Sequence, residues 1–116
     1  MEKLALILAT LSALAFTPIA HADAGGKCHF HGTTPVKESV IVGCAMAHKD
    51  SLINKGKLDA SWKAVKLDKV ETVEGKKMKE WKLSFLNPLE KDASKRTLYM
   101  FYALTGNLIG ANFDGK

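Results

Sequence analysis

Lys79-Glu80-Trp81-Lys82-Leu83-Ser84-Phe85-Leu86 decides the fold class. Trp81, Leu83 and Phe85 project to one side of an extended chain, and Glu80, Lys82 and Ser84 to the other. That alternation predicts a strand with one buried face and one wet face. Downstream, Thr97 to Ala103 is apolar on both sides. Leu98, Met100 and Tyr102 oppose Tyr99, Phe101 and Ala103, which suits a central strand. Thr105-Gly106-Asn107 is a tight hairpin signal, and Leu108 to Phe113 reads as the last strand. Upstream, Ala64 to Val73 alternates loosely, with Val65, Leu67 and Val70 as apolar points and Gly75-Lys76-Lys77 as the turn that follows. Asn87 to Lys95 is a polar loop containing Pro88.

Before these strands the period changes. Ile41, Cys44, Ala45, His48 and Leu52 follow i, i+3, i+4 spacing and predict a helix from Val36 to about Lys55. Thr34 is placed to cap it, Pro35 suits the first helical position, and Glu38 lies where the helix dipole favours a carboxylate. Lys37, Lys49, Asp50 and Asn54 read as its polar side. Gly43 weakens it, and Gly56 supplies a left-handed stop. Leu58 to Trp62 is a short turn with Asp59 as its cap. The expected fold over residues 35–116 is therefore α+β, with one N-terminal helix packed on a four-stranded antiparallel meander. Lys63, Lys66 and Lys69 would discourage pairing at the edge of the first strand.

Residues 1–22 read as a secretory signal. Lys3 gives the positive start, Leu4 to Phe16 the apolar run, and Ala20-His21-Ala22 the cleavage site before Asp23. The expectation is a periplasmic or secreted protein, released near Ala22-Asp23, with residues 23–34 as a flexible lead-in. No later stretch reaches membrane-spanning length, so no stable membrane anchor is expected. The net charge is +5, and the basic side is nearly all Lys, with Arg96 the only Arg. Nucleic-acid readers rely on Arg for bidentate contacts, so a nucleic-acid partner is not expected.

The helix leading into Gly56-Lys57-Leu58-Asp59-Ala60-Ser61-Trp62, the strand around Glu80-Trp81 and the closing hairpin ending Ala111-Asn112-Phe113-Asp114-Gly115-Lys116 carry a resemblance. The chain resembles a family of small, uncharacterised exported proteins of Gram-negative bacteria that are PepSY-like. The resemblance covers roughly residues 35–116. It implies a non-catalytic binding or regulatory module, and it brings no site residues with it.

One cluster of reactive side chains stands out: Cys28, His29, His31, Cys44 and His48. His29 and His31 project to the same side of an extended segment, and Cys44 and His48 lie one turn apart on the helix. Converging imidazoles and thiolates would suit zinc, or copper in its reduced state. A Cys28–Cys44 disulfide competes with that set, because an oxidised pair offers no thiolate. Catalysis has little support. Cys44 and His48 lack a third group to orient the base, and no nucleophile elbow or phosphate loop is present. The expected function is thus a non-enzymatic exported module that binds a protein partner through its sheet face, with Trp81, Tyr99 and Phe101 as the exposed aromatic residues. The alternative is a periplasmic zinc- or copper-binding protein using the Cys/His cluster.

Overall fold

The computed structural model describes residues 28–116. The signal expected over residues 1–22 and the start of the expected lead-in lie outside the described residues. A helix, α1 (Glu38–Asn54), is followed by a 3-10 turn (Ala60–Ala64) and four strands. These are β1 (Leu67–Glu74), β2 (Lys79–Leu86), β3 (Thr97–Ala103) and β4 (Leu108–Asn112). They form one antiparallel sheet in the order β1-β2-β3-β4, each strand beside its neighbour in sequence. The α+β meander expected from the periodicity is the architecture of the molecule.

Strand parity sets the layers. Phe85 pairs with Leu98, Leu83 with Met100 and Trp81 with Tyr102 across β2 and β3. These side chains therefore share one face, and α1 covers it with Ile41, Cys44 and Ala45. Leu58, Trp62 and Val65, from the connection between α1 and β1, close the same core. On the other face, Ser84 pairs with Tyr99 and Lys82 with Phe101.

The start of α1 differs from the sequence reading, and its end agrees with it. The helix begins at Glu38, not Val36, and Lys37 stands at its cap in an extended conformation without a side-chain cap. The Val36 N–H donates instead to the carbonyl of Leu104 at 2.8 Å. That bond holds Val36 against the β3–β4 hairpin, and the helix starts two residues later. At the other end, Gly56 adopts φ +76°. Its N–H bonds to the Ile53 carbonyl, and the Lys57 N–H to that of Leu52. This is a Schellman stop, as the glycine predicts. The first strand starts at Leu67 because the Val65 N–H is taken by the Trp62 carbonyl, which extends the 3-10 turn.

The largest departure is Lys49. It reads as polar helix surface, yet it is fully buried. Its Nζ donates to the carbonyl of Trp62 at 2.7 Å and of Lys63 at 3.3 Å. It lies 5.9 Å from the centre of the Phe85 ring and 3.9 Å from the exposed Asp50 carboxylate. The amine thus bolts α1 to the 3-10 turn. Desolvation lowers its pKa from the ordinary value, and Asp50 opposes that shift.

Because the folded amine holds its proton less tightly than the unfolded one, the folded state binds fewer protons between the lowered value and 10.5. Stability contributed by this group is therefore smallest at low pH and rises as pH increases through that window. Urea unfolding from pH 7 to pH 10 should show this rise in the wild type and lose it in Lys49→Met. Lys49→Ala should cost about 2–4 kcal/mol, from the cavity left by the stem and the lost hydrogen bonds.

Candidate functional site

The structure separates the expected site residues into two groups. The first lies in the lead-in. Cys28 and Cys44 form a disulfide, with Cα atoms 5.5 Å apart. The bridge fixes the start of the described chain to the middle of α1. Two further contacts hold the same segment to the β3–β4 hairpin. The Phe30 N–H donates to Asn107 Oδ1 at 3.0 Å, and Asn107 Nδ2 donates to the Phe30 carbonyl at 2.8 Å. The Phe30 ring rests against Gly106, where a β-carbon would come within 2.5 Å of it. Gly106 also has φ +111°, so both the turn and the ring demand glycine here.

Held in this way, His29 and His31 are exposed, with ring centres 4.6 Å apart in an edge-on arrangement. His48 is half-buried on α1, and burial first, then the Lys55 charge, holds its pKa below the ordinary value. The oxidised cysteines supply no thiolate. Among the described residues, no group of three or more His, Cys, Asp or Glu side chains converges. The five-residue ligand set considered from sequence therefore reduces to two neighbouring imidazoles.

The second group lies on the face of the sheet opposite α1, which no helix or strand covers among the described residues. Tyr99 and Phe101 project there, both half-buried. The Lys82 ammonium stands over both rings, 4.9 Å from the centre of Tyr99 and 5.7 Å from that of Phe101. Such a placement is attractive through the ring quadrupoles. The chain end turns back over Tyr99. The Gly115 N–H bonds to Asn112 Oδ1 at 2.8 Å, and a β-carbon on Gly115 would stand 3.2 Å from the tyrosine ring.

Beside Tyr99, Phe101 faces a cleft of about 860 Å³. Its apolar lining includes Val73, Met78, Phe101 and Ile109. Lys76, Lys77, Lys82 and Lys116 contribute positive charge, against Glu74 and Glu80.

Trp81 is not part of this surface. Its parity places it with Leu83, Phe85 and Tyr102 on the helix side, packed against the core. Its Nε1 is buried and has no hydrogen-bond partner among the described residues. Lys82 is the residue the sequence reading missed here. Its signal was available, since it is the polar alternation point directly opposite the second aromatic of β3.

With Cys28 and Cys44 bridged, the intact mass should be two hydrogens below that of the reduced chain, with no thiol open to alkylation. A bridge closing a loop of this length should contribute about 3 kcal/mol, read as a lower melting temperature after reduction or in Cys28→Ser/Cys44→Ser.

No helix among the described residues is long and apolar enough to cross a membrane. Comparison with curated proteins returned no match, and comparison with solved structures returned none. A family model does match, over residues 1–116. The chain belongs to this family, described as a family of unknown function (DUF6488).

Proposed function

We infer that this protein is a non-catalytic, exported binding module that recognises a protein partner through the uncovered face of its sheet. The observation that carries this reading is the Phe101–Lys82–Tyr99 arrangement beside the cleft. A lone helix can cover one side of a four-stranded sheet, and the other side is ordinarily polar. Here the central strand keeps two aromatic rings on that side, next to a concave, partly apolar surface. Concave apolar surfaces with a few charged groups are where ligands and partners bind. Export follows from the signal-like residues 1–22 and agrees with an oxidised cysteine pair. The PepSY-like character rests on the order of one helix and a meander, together with the residues quoted above.

Phe101→Ser and Tyr99→Ser should weaken partner capture while the protein still melts cooperatively. The measurement is crosslinking in periplasmic extract followed by quantification of the captured species, with Lys63→Ser as the control. Equal capture by all three variants would refute the sheet-face reading. Loss of folding in Phe101→Ser would show that the ring belongs to the core.

A second reading is favoured by the proximity of His29 and His31. Two exposed imidazoles on a segment clamped by a disulfide and by Asn107 can chelate a divalent cation, zinc or copper. Titration with Cu²⁺ should give one binding event that disappears in His29→Ala/His31→Ala and persists in Phe101→Ser. An unchanged titration in the double variant would refute this site.

A further inference from the structure

The two outer strands of the sheet are built differently. β1 carries Asp68, Lys69, Glu71 and Glu74 along its length, the usual guard against pairing with another chain. β4 is Leu108-Ile109-Gly110-Ala111-Asn112 and carries no charge. Leu108 is 40% exposed and Ile109 55% exposed. Among the described residues β4 has a strand neighbour on one side only, which leaves alternate N–H and C=O groups along its outer edge open to pairing. Its pairing with β3 slips at Ile109, between the Phe101–Gly110 and Tyr102–Leu108 pairs, and Ile109 enters the cleft lining. Gly110 and Asn112 share the uncovered face with Phe101 and Tyr99, and a β-carbon on Gly110 would meet nothing within 4 Å. The sheet face beside this edge is open at Gly110.

Charge identifies what fits. The cleft beside β4 has four lysines and two glutamates, and the whole chain is at +5. A second copy of this chain would bring like charge to the edge, whereas an acidic segment would be drawn to it. We propose that β4 is a strand-addition site for an extended, acidic peptide segment of a partner protein. The segment pairs with the β4 backbone and directs its carboxylates over the uncovered face toward Lys82 and Lys116. Its apolar residues would lie on the other side, beside Leu108, which pairs with Tyr102 on the helix face. This mode of recognition takes affinity from main-chain hydrogen bonds and selectivity from alternate side chains. The inference rests on the sheet-face reading and adds to it the class of partner and the geometry of binding.

The test uses three acetylated and amidated hexapeptides with the full mature protein. One alternates Glu and Val, one alternates Lys and Val, and one is the Glu-Val peptide with every backbone nitrogen methylated. Binding is followed by amide chemical shifts in an ¹⁵N-labelled sample and by fluorescence anisotropy. The Glu-Val peptide should saturate the protein, shift the amides of residues 108–112, and bind more weakly as salt is raised. The Lys-Val and methylated peptides should bind at least about tenfold more weakly, as should the Glu-Val peptide to Lys82→Glu. Equal binding of the methylated peptide overturns strand addition and leaves the sheet-face reading standing. Equal binding of the Lys-Val peptide overturns the acidic preference. Shifts at residues 108–112 that appear without peptide and follow a concentration-dependent dimer in sedimentation also overturn the proposal, in favour of a second copy. Shifts at β4 that are indifferent to Phe101→Ser and Lys82→Glu confine recognition to the edge and refute the sheet-face reading.

Discussion

A buried ammonium holds the two layers of this domain in register. Moving a charged amine out of water costs several kcal/mol unless its protons find acceptors. Lys49 finds them in the backbone carbonyls of Trp62 and Lys63. Those carbonyls are fixed by the 3-10 turn, which is itself pinned from two sides. Asp59 caps the turn by accepting from the Ser61 N–H and hydroxyl. The fully buried Asn87, from the loop after β2, donates to Ser61 Oγ at 2.9 Å. The Asn87 N–H bonds to the Arg96 carbonyl, and its Oδ1 accepts from the Leu89 N–H. One chain of hydrogen bonds therefore runs from the β2–β3 loop through the turn, and the Lys49 ammonium ties α1 to the same turn. Apolar packing alone would let α1 rotate or slide over Leu83, Phe85 and Met100. A donor that must reach two particular carbonyls does not.

With α1 fixed on one face, β3 is the strand whose two sides meet different surroundings. Its even-numbered residues Leu98, Met100 and Tyr102 are fully committed to the core. Its odd-numbered residues Tyr99 and Phe101 face away from the helix, with the Lys82 ammonium over both rings and the turn at Gly115 beside Tyr99. A strand that is apolar on both sides is what the sequence shows, and it is usually read as burial on both sides. Here the second side has a lysine ammonium for a roof. The stem of Lys82 can cover aromatic carbon while its head stays wet, so the face remains soluble and can still be uncovered.

The strands were legible because their chemistry is local. β2 and β3 fall where alternation and the flanking turn residues put them, and the αL glycine at 56 ends the helix as expected. What escaped was whatever depends on a partner distant in sequence. The helix start moved because the Val36 N–H is claimed by Leu104, far downstream. Lys49 was assigned to the surface by residue type, although it continues the i, i+4 line through Ile41 and Ala45 that forms the buried stripe. Position outweighed polarity there, because the backbone of the 3-10 turn supplies the acceptors. Trp81 was grouped with the exposed aromatics, although its parity with Leu83 and Phe85 already placed it on their side. The cysteine pairing was open from sequence, since two cysteines and three nearby histidines support either a bridge or a thiolate site. The fold closes it by bringing Cys28 onto α1.

The uncovered face is where stability and function part. In β2 the residues on that side are Glu80, Lys82 and the buried Ser84, all of them polar. Across from them β3 offers Tyr99, Phe101 and Ala103, and beyond β3 lies the uncharged, partly exposed β4. A sheet stabilised only against its own helix would gain solubility from polar residues at 99 and 101 and from a charge in β4, at little cost to the core. Strand parity keeps those positions clear of the residues that pack under α1. Their aromatic and uncharged character is therefore not required by the packing under α1, and it is this surplus that the proposed partner surface would use.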